Sequence, residues 1–241
     1  MKLNTILIVI LFMHIGGRLL YAQDVDKRNE ITTESVIEKY LEYAEDHAVI
    51  FNGKEQVPYE ISATNHPYLI TSRYTVGEIW HNQILYKNIL LRYDLYRDEL
   101  VVLTPGNSYN IVLEKEKVNE ATIDNYRIIR HDEGIWPNIP QGNYLLLLHD
   151  GNYPVIRKNN TIRDRKIVDR RVEYTYRIRE QYYVYKDGLC HQVSNKRSLL
   201  KLFPDKRKEL DTYIKQKKLN FRNDKEQSIV DIVEYYEEIK R

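Results

Sequence analysis

Apolar residues change their spacing along the chain, and the changes mark the elements. Ile37, Tyr40, Leu41, Ala44 and Ala48 recur at helical intervals, which places them on one stripe of an amphipathic helix. Thr32 or Thr33 can cap its start and Asn52-Gly53 can end it, so a helix is predicted over 34–52. From Val57 the period falls to two. Ile89, Leu91, Tyr93 and Leu95 alternate with Leu90, Arg92, Asp94 and Tyr96, the pattern of a strand with one apolar face. Residues 100–103, the turn sequence Thr104-Pro105-Gly106-Asn107 and residues 109–113 read as strand, turn and strand, and 126–130 continue the pattern. Val172, Tyr174, Tyr176 and Ile178 alternate with Arg171, Glu173, Thr175, Arg177 and Arg179, so that strand has a wet side.

Two segments, 145–157 and 182–194, carry Asp150-Gly151 and Asp187-Gly188 at their centres. Asp-Gly supplies the positive φ angles of a type I′ turn, which predicts two tight hairpins in an antiparallel meander. Residues 131–142, with Gly134, Trp136, Pro137, Pro140 and Gly142, read as a long exposed connection. Residues 198–203 form a short helix stopped by Pro204. Asp205 is placed to cap a second helix carrying Leu210, Tyr213 and Ile214. Asn223 and Glu226 have the spacing of a capping box before the stripe Ile229, Ile232, Val233, Tyr236 and Ile239.

The expected class is therefore α+β: a mostly antiparallel sheet over 57–195, able to curve into a partial barrel, with the helix at 34–52 and C-terminal helices over 197–241 packed on it. The N-terminus has the layout of a secretory signal, with Lys2, the apolar run 6–13, Gly16-Gly17 and a small-residue end at Ala22-Gln23. Residues 1–23 are expected to be a signal peptide and 24–241 one exported domain. A spanning helix needs about 20 apolar residues, more than that run supplies, and no later segment approaches that length.

Net charge is +2, which argues against nucleic acid as a partner. A single cysteine, Cys190, excludes an internal disulfide framework and reads as a buried apolar filler. Tyrosine is in excess, 21 against 4 Phe and 2 Trp. It suits half-buried sheet surfaces, and it also suits sugar stacking, for which Trp80 and Trp136 are the candidates.

No catalytic residue, metal ligand set or cofactor site is expected. His47, His66, His81, His131, His149 and His191 lack metal-binding spacing, and no phosphate loop or nucleophile elbow occurs. Cys190 and His191 are neighbours on a strand and point to opposite faces. Asp94, Asp98 and Glu99 would pair carboxylates on a continuous strand, but between two apolar runs they more simply make a turn.

Charge is segregated. Residues 24–60 hold ten carboxylates against four basic residues, 157–179 nine basic against three acidic, and 196–222 ten against three. Arg163, Arg165, Arg170 and Arg171, with Lys206, Arg207 and Lys208, are the candidates for a surface facing an anionic partner. The alternative is that they complement the acidic helices internally.

The run Leu91-Arg92-Tyr93-Asp94-Leu95-Tyr96-Arg97-Asp98-Glu99-Leu100-Val101-Val102 and the tail Ser198-Leu199-Leu200-Lys201-Leu202-Phe203-Pro204-Asp205-Lys206-Arg207-Lys208-Glu209-Leu210, with the Tyr21-Ala22-Gln23 signal end, resemble a family of uncharacterised secreted proteins typical of Bacteroidota. That resemblance implies a Gram-negative envelope location and no activity. The leading expectation is a non-enzymatic envelope protein, periplasmic or secreted, that binds a partner protein or an anionic envelope component. The alternatives are a periplasmic carrier of an apolar ligand, which needs an internal apolar cavity, and a glycan-binding or glycan-active protein.

Overall fold

The computed structural model describes residues 32–59, 63–106 and 108–240. The expected signal segment lies outside them. Two compact units divide at Tyr43/Ala44. The first contributes helix α1 (Thr33–Ala44), which buries none of its side chains. Thr32 caps it, its Oγ1 accepting the Ser35 N–H at 3.2 Å and its carbonyl accepting Ser35 Oγ at 2.9 Å.

The helix stops short of the predicted 34–52. Ala48 takes an extended backbone (φ −60°, ψ 144°) between two 3-10 turns, Glu45–His47 and Val49–Phe51. Val49, Ile50 and Phe51 are β-branched or aromatic and lose side-chain freedom in a helix. In the second unit Ala48, Ile50 and Phe51 are buried instead.

That second unit is built on one eleven-stranded sheet. Its strands are β1 (Lys54–Glu55), β2 (Thr75–His81), β3 (Ile84–Asp94), β4 (Glu99–Leu103), β5 (Asn110–Val112), β6 (Val118–Ile123), β7 (Tyr126–Arg130), β8 (Tyr144–His149), β9 (Val155–Val168), β10 (Arg171–Lys186) and β11 (Leu189–Val193). The order is β1-β5-β4-β3-β2-β6-β7-β8-β9-β10-β11. All neighbours are antiparallel.

The sheet is open at β1 and β11, so the barrel does not close. It is nevertheless curved. One segment bonds both to β10, through the Ala63–Tyr174 bridge, and to β3, through Leu69 N–H to the Tyr93 carbonyl at 3.0 Å. Those strands are far apart in the sheet order, and only curvature brings them to a common neighbour.

Asp187-Gly188 makes the predicted tight turn, with φ of 52° and 81°. Asp150-Gly151 does not: β8 ends at His149, β9 begins at Val155, and the register shifts between Leu147 and His149. The loop is drawn onto the last helix, α4 (Lys225–Lys240), where the Glu237 carboxylate accepts the Tyr153 N–H at 2.8 Å and meets His149 Nε2 at 3.2 Å. Two further tight turns, at Asn82-Gln83 (φ 50° and 65°) and Asp169-Arg170 (φ 46° and 65°), pair Asn or Asp, which take positive φ more readily than other non-glycine residues, with Gln or Arg, which seldom do, so neither carries the glycine that marks such a turn.

Helices α2 (Lys196–Leu202) and α3 (Arg207–Gln216) join α4 on one face of β9–β11. Val155, Tyr182, Val184 and Val193 meet Leu199, Phe203, Leu210, Ile229, Val233 and Tyr236 there. The other face is covered by residues 131–143, with Ile139 and Trp136 over Leu145, Leu147, Ile156, Tyr183 and Cys190. The segment expected as an exposed connection is thus a lid on the sheet, with Ile139 buried. Because both faces are covered here, Tyr144, Leu145, Leu146 and Leu147 are all buried, a continuous apolar run rather than an alternating one.

Helix starts differ from expectation in two places. Asp205 does not cap α3, because it lies in the 3-10 turn Pro204–Lys206 and accepts the Tyr236 hydroxyl at 3.1 Å. Helix α4 begins at Lys225, so Asp224 rather than Asn223 precedes it, and its carbonyl accepts Ser228 Oγ at 2.6 Å.

Candidate functional site

Strands β9 and β10 are the longest, 14 and 16 residues. β8 pairs with β9 only over 155–157, and β11 pairs with β10 only over 182–186. Residues 158–181 therefore continue as a two-stranded arm. A lone hairpin is marginal in water, and this one is braced partway along its length. Thr64 N–H reaches the Tyr174 carbonyl at 2.9 Å, and the Asn65 amide bonds both the N–H and the carbonyl of Tyr176, each at 2.8 Å. On one face Arg163 and Arg165 stand opposite Tyr176 and Tyr174. On the other, Arg177 forms a two-point pair with Asp164.

Much of the tyrosine excess is used beneath the arm. Tyr176 meets the rings of Tyr59 at 5.5 Å and Tyr96 at 5.4 Å edge-on. Arg163 lies over Tyr174 at 4.6 Å and Tyr96 at 5.5 Å, Arg97 over Tyr59 at 4.1 Å, and Arg92 between Tyr68 at 4.2 Å and Tyr74 at 4.3 Å. Cations over aromatic faces are attracted by the ring quadrupole. At the centre Asp94, fully buried, accepts the Tyr59 hydroxyl at 2.5 Å, Gln56 Nε2 at 3.2 Å and the N–H groups of Tyr96 and Arg97 at 3.0 Å. Burial and that carboxylate push the Tyr59 hydroxyl far above its ordinary value. Burial pushes Tyr74 up to about 12, with Arg92 opposing.

The carboxylates weighed as a pair are a turn. Asp94 ends β3, Glu99 opens β4 and Asp98 takes φ 56° between them. Burial, then the neighbouring Asp94 carboxylate, raises the Glu99 pKa.

The predicted basic residues separate into three groups. Arg163 is taken up by the tyrosine cluster. Arg165, Arg170 and Arg171 are exposed at the outer end of the arm, with Arg170 in the turn itself, and none makes an ion pair among the described residues. The third group surrounds an open groove of about 790 Å³ between α2 and α3, lined by Lys196, Arg197, Leu200, Arg207, Lys208, Asp211 and Thr212. Lys206 reaches Glu209 at 3.6 Å instead. Asp211, the one carboxylate lining the groove, is held by Lys196 at 2.5 Å and Lys215 at 2.8 Å, which lower its pKa to about 2. Arg197, Arg207 and Lys208 make no ion pair among the described residues. Of the candidates named from the sequence, Arg207 and Lys208 line this groove, and Lys196 and Arg197, which are not among them, join them only when α2 packs beside α3.

Trp80 is 42% exposed on β2, opposite Leu85 and Glu120. Trp136 is half-buried with its ring edge-on to Tyr185 at 5.9 Å. No ring contact joins the two tryptophans among the described residues, and neither lines the α2–α3 groove. Cys190 is buried, which pushes its thiol up to about 11, while His191 Nε2 meets the Lys186 carbonyl at 3.2 Å. A small cavity beneath Tyr68 and Arg92 measures about 10 Å³, on the order of one water and far below what a lipid needs. Among the described residues no three or more His, Cys, Asp or Glu gather to hold a metal ion, and no helix is long and apolar enough to cross a membrane.

His81 and His131 are buried, with both ring nitrogens of His81 and Nε2 of His131 lacking a hydrogen-bond partner among the described residues. Burial lowers the pKa of each, helped by Lys117 at His81 (against Glu114) and by Lys158 at His131. The unfolded chain therefore takes up protons first as pH falls. Their contribution to stability is complete above about pH 6.5, the unfolded value, and declines as pH falls from there toward the depressed folded values. Calorimetry should show a melting temperature that drops by a few degrees on acidification through this window, at about 2–4 °C per kcal/mol for a domain of this size. His81→Phe should flatten that drop; the same slope in the variant would place the proton uptake elsewhere.

No protein-family model, no curated protein and no solved structure matches this chain.

Proposed function

We propose that the chain is an exported, non-catalytic binding protein of the cell envelope that holds an anionic envelope component in the groove between α2 and α3. The observation that carries this reading is the charge of the groove: Lys196, Arg197, Arg207 and Lys208 border it, and its one carboxylate is already bonded to two lysines. Aliphatic stems and Leu200 provide an apolar floor, on which long basic side chains can lie with their charged ends outward. Arg165, Arg170 and Arg171 on the arm form a second basic surface for an extended partner. The signal-like N-terminus and the resemblance to secreted Bacteroidota proteins support the envelope location.

The groups recognised are phosphates or carboxylates, from a lipid headgroup or an acidic polysaccharide. A basic residue near an anionic membrane surface contributes about 1 kcal/mol, so Arg197→Gln, Arg207→Gln and Lys208→Gln together should weaken binding by about 100-fold. Vesicle co-sedimentation with phosphatidylglycerol, beside retention on polygalacturonate beads, distinguishes the two sources. Raised salt should weaken either interaction. If the triple variant binds both materials as the parent does, the groove is not the site. The companion variant Arg165→Gln, Arg170→Gln and Arg171→Gln reports on the arm separately.

A further inference from the structure

A second cleft, of about 200 Å³, lies where the turn between β3 and β4 faces the root of the arm, with Tyr96, Asp98, Lys158, Asn159, Thr161 and Gln181 among its lining. Its charges are balanced from within. Lys158, buried, sets its ammonium 3.3 Å from the Asp98 carboxylate and 3.5 Å from the Tyr144 carbonyl. The same carboxylate accepts the Asn143 N–H and the Tyr93 hydroxyl, each at 2.6 Å. A buried ion pair is tolerated when such further bonds complete it. Space for the lysine depends on Gly142, since a Cβ there would lie 1.7 Å from Nζ.

With those charges satisfied, the polar residues that remain around the cleft, Tyr96, Asn159, Asn160, Thr161 and Gln181 among them, are neutral. Asn159 buries both Oδ1 and Nδ2, and Thr161 buries Oγ1, with no hydrogen-bond partner among the described residues. A buried polar group left unbonded costs about 1–3 kcal/mol, and native folds keep few of them. Here three such atoms belong to residues two apart on one strand, which share a face. Together they offer a donor, an acceptor and a group that can do both.

We propose that this cleft binds one neutral sugar residue. Adjacent hydroxyls of a sugar ring each donate and accept, so a pair of them satisfies the Asn159 amide at both atoms and leaves a third for Thr161. A charged ligand would meet no free counter-charge on the Lys158–Asp98 floor. The volume, below the roughly 300–1,000 Å³ of sites for drug-sized ligands, admits a single ring and not an extended peptide. The site is separate from the α2–α3 groove and does not rest on the reading given for it.

Saturation-transfer NMR on the protein with D-glucose, D-galactose, D-mannose, N-acetyl-D-glucosamine and L-fucose tests this directly. At least one sugar should receive transfer at its ring protons. Asn159→Leu with Thr161→Val should weaken that binding by about tenfold or more, the effect of losing hydrogen bonds worth about 1–3 kcal/mol. The melting temperature should hold or rise, because unbonded polar atoms are exchanged for apolar ones of similar shape. Arg207→Gln with Lys208→Gln should leave the sugar signal intact. Absence of transfer from every sugar would overturn the proposal, as would equal binding by the Asn159/Thr161 variant. A melting temperature lowered in that variant would overturn it too, by showing that the fold itself uses these atoms.

Discussion

Asp94→Leu is expected to cost the domain about 3–5 kcal/mol, the range for removing one member of a buried charged network. The carboxylate is fully buried and accepts four hydrogen bonds, from the Tyr59 hydroxyl, the Gln56 amide and the N–H groups of Tyr96 and Arg97. Leucine fills the space and leaves all four donors unanswered. It also removes the negative charge from a cluster in which Arg92 and Arg97 lie over Tyr68 and Tyr59. Asp94→Asn separates these contributions. Its Oδ1 can still accept from the turn, while its Nδ2 faces a second donor, the Gln56 amide, so about 1–3 kcal/mol should be lost. Urea unfolding followed by circular dichroism measures both. A midpoint for Asp94→Leu equal to the parent's would mean that the cluster does not hold the β3–β4 turn.

Phe203→Ala should be comparably severe, at about 3–5 kcal/mol. Phe203 is fully buried, with its ring centroid 4.0 Å from that of Tyr236 and 5.5 Å from that of Tyr153. It stands where α2 ends and the chain turns into Pro204, so it joins three helices and the 150–154 loop to one aromatic cluster. Truncation leaves a void between groups whose positions are set by other bonds, among them Tyr236 to Asp205 at 3.1 Å. The site cannot collapse to fill it. Phe203→Leu retains most of the volume and should lose less than half as much. Equal losses for the two substitutions would show that the aromatic contact, rather than the volume, is the larger contribution.

Several features needed only local chemistry. The period-two stretch from Ile89 to Leu95 is β3, the alternation from Arg171 to Arg179 is in β10, and the helical stripe Ile229, Ile232, Val233 and Tyr236 is buried against the sheet. Asp187-Gly188 makes its tight turn, Cys190 is buried, and the carboxylates from Asp94 to Glu99 make a turn rather than a pair. In each case the deciding interaction lies within a few residues of the one read, or depends only on which face is apolar. The α+β class with an antiparallel sheet follows from those same periods.

What needed the tertiary structure is how distant segments meet. Nothing in the pattern of β2 says that it pairs with β6, where a Cβ on Gly77 would stand 2.2 Å from the Thr122 carbonyl oxygen. The Asp150-Gly151 pair has the sequence of a tight turn and yields to Glu237, a partner far along the chain. Arg163 reads as a surface charge until Tyr96 and Tyr174 enclose it, and Lys196 and Arg197 join Arg207 and Lys208 only through the packing of two helices. The Asn159 amide reads as ordinary strand polarity until its surroundings bury it without a partner. Periodicity records whether a face is wet or dry, because a residue meets that condition wherever its partner comes from. The identity of the partner depends on sheet order and curvature, which the whole chain decides together.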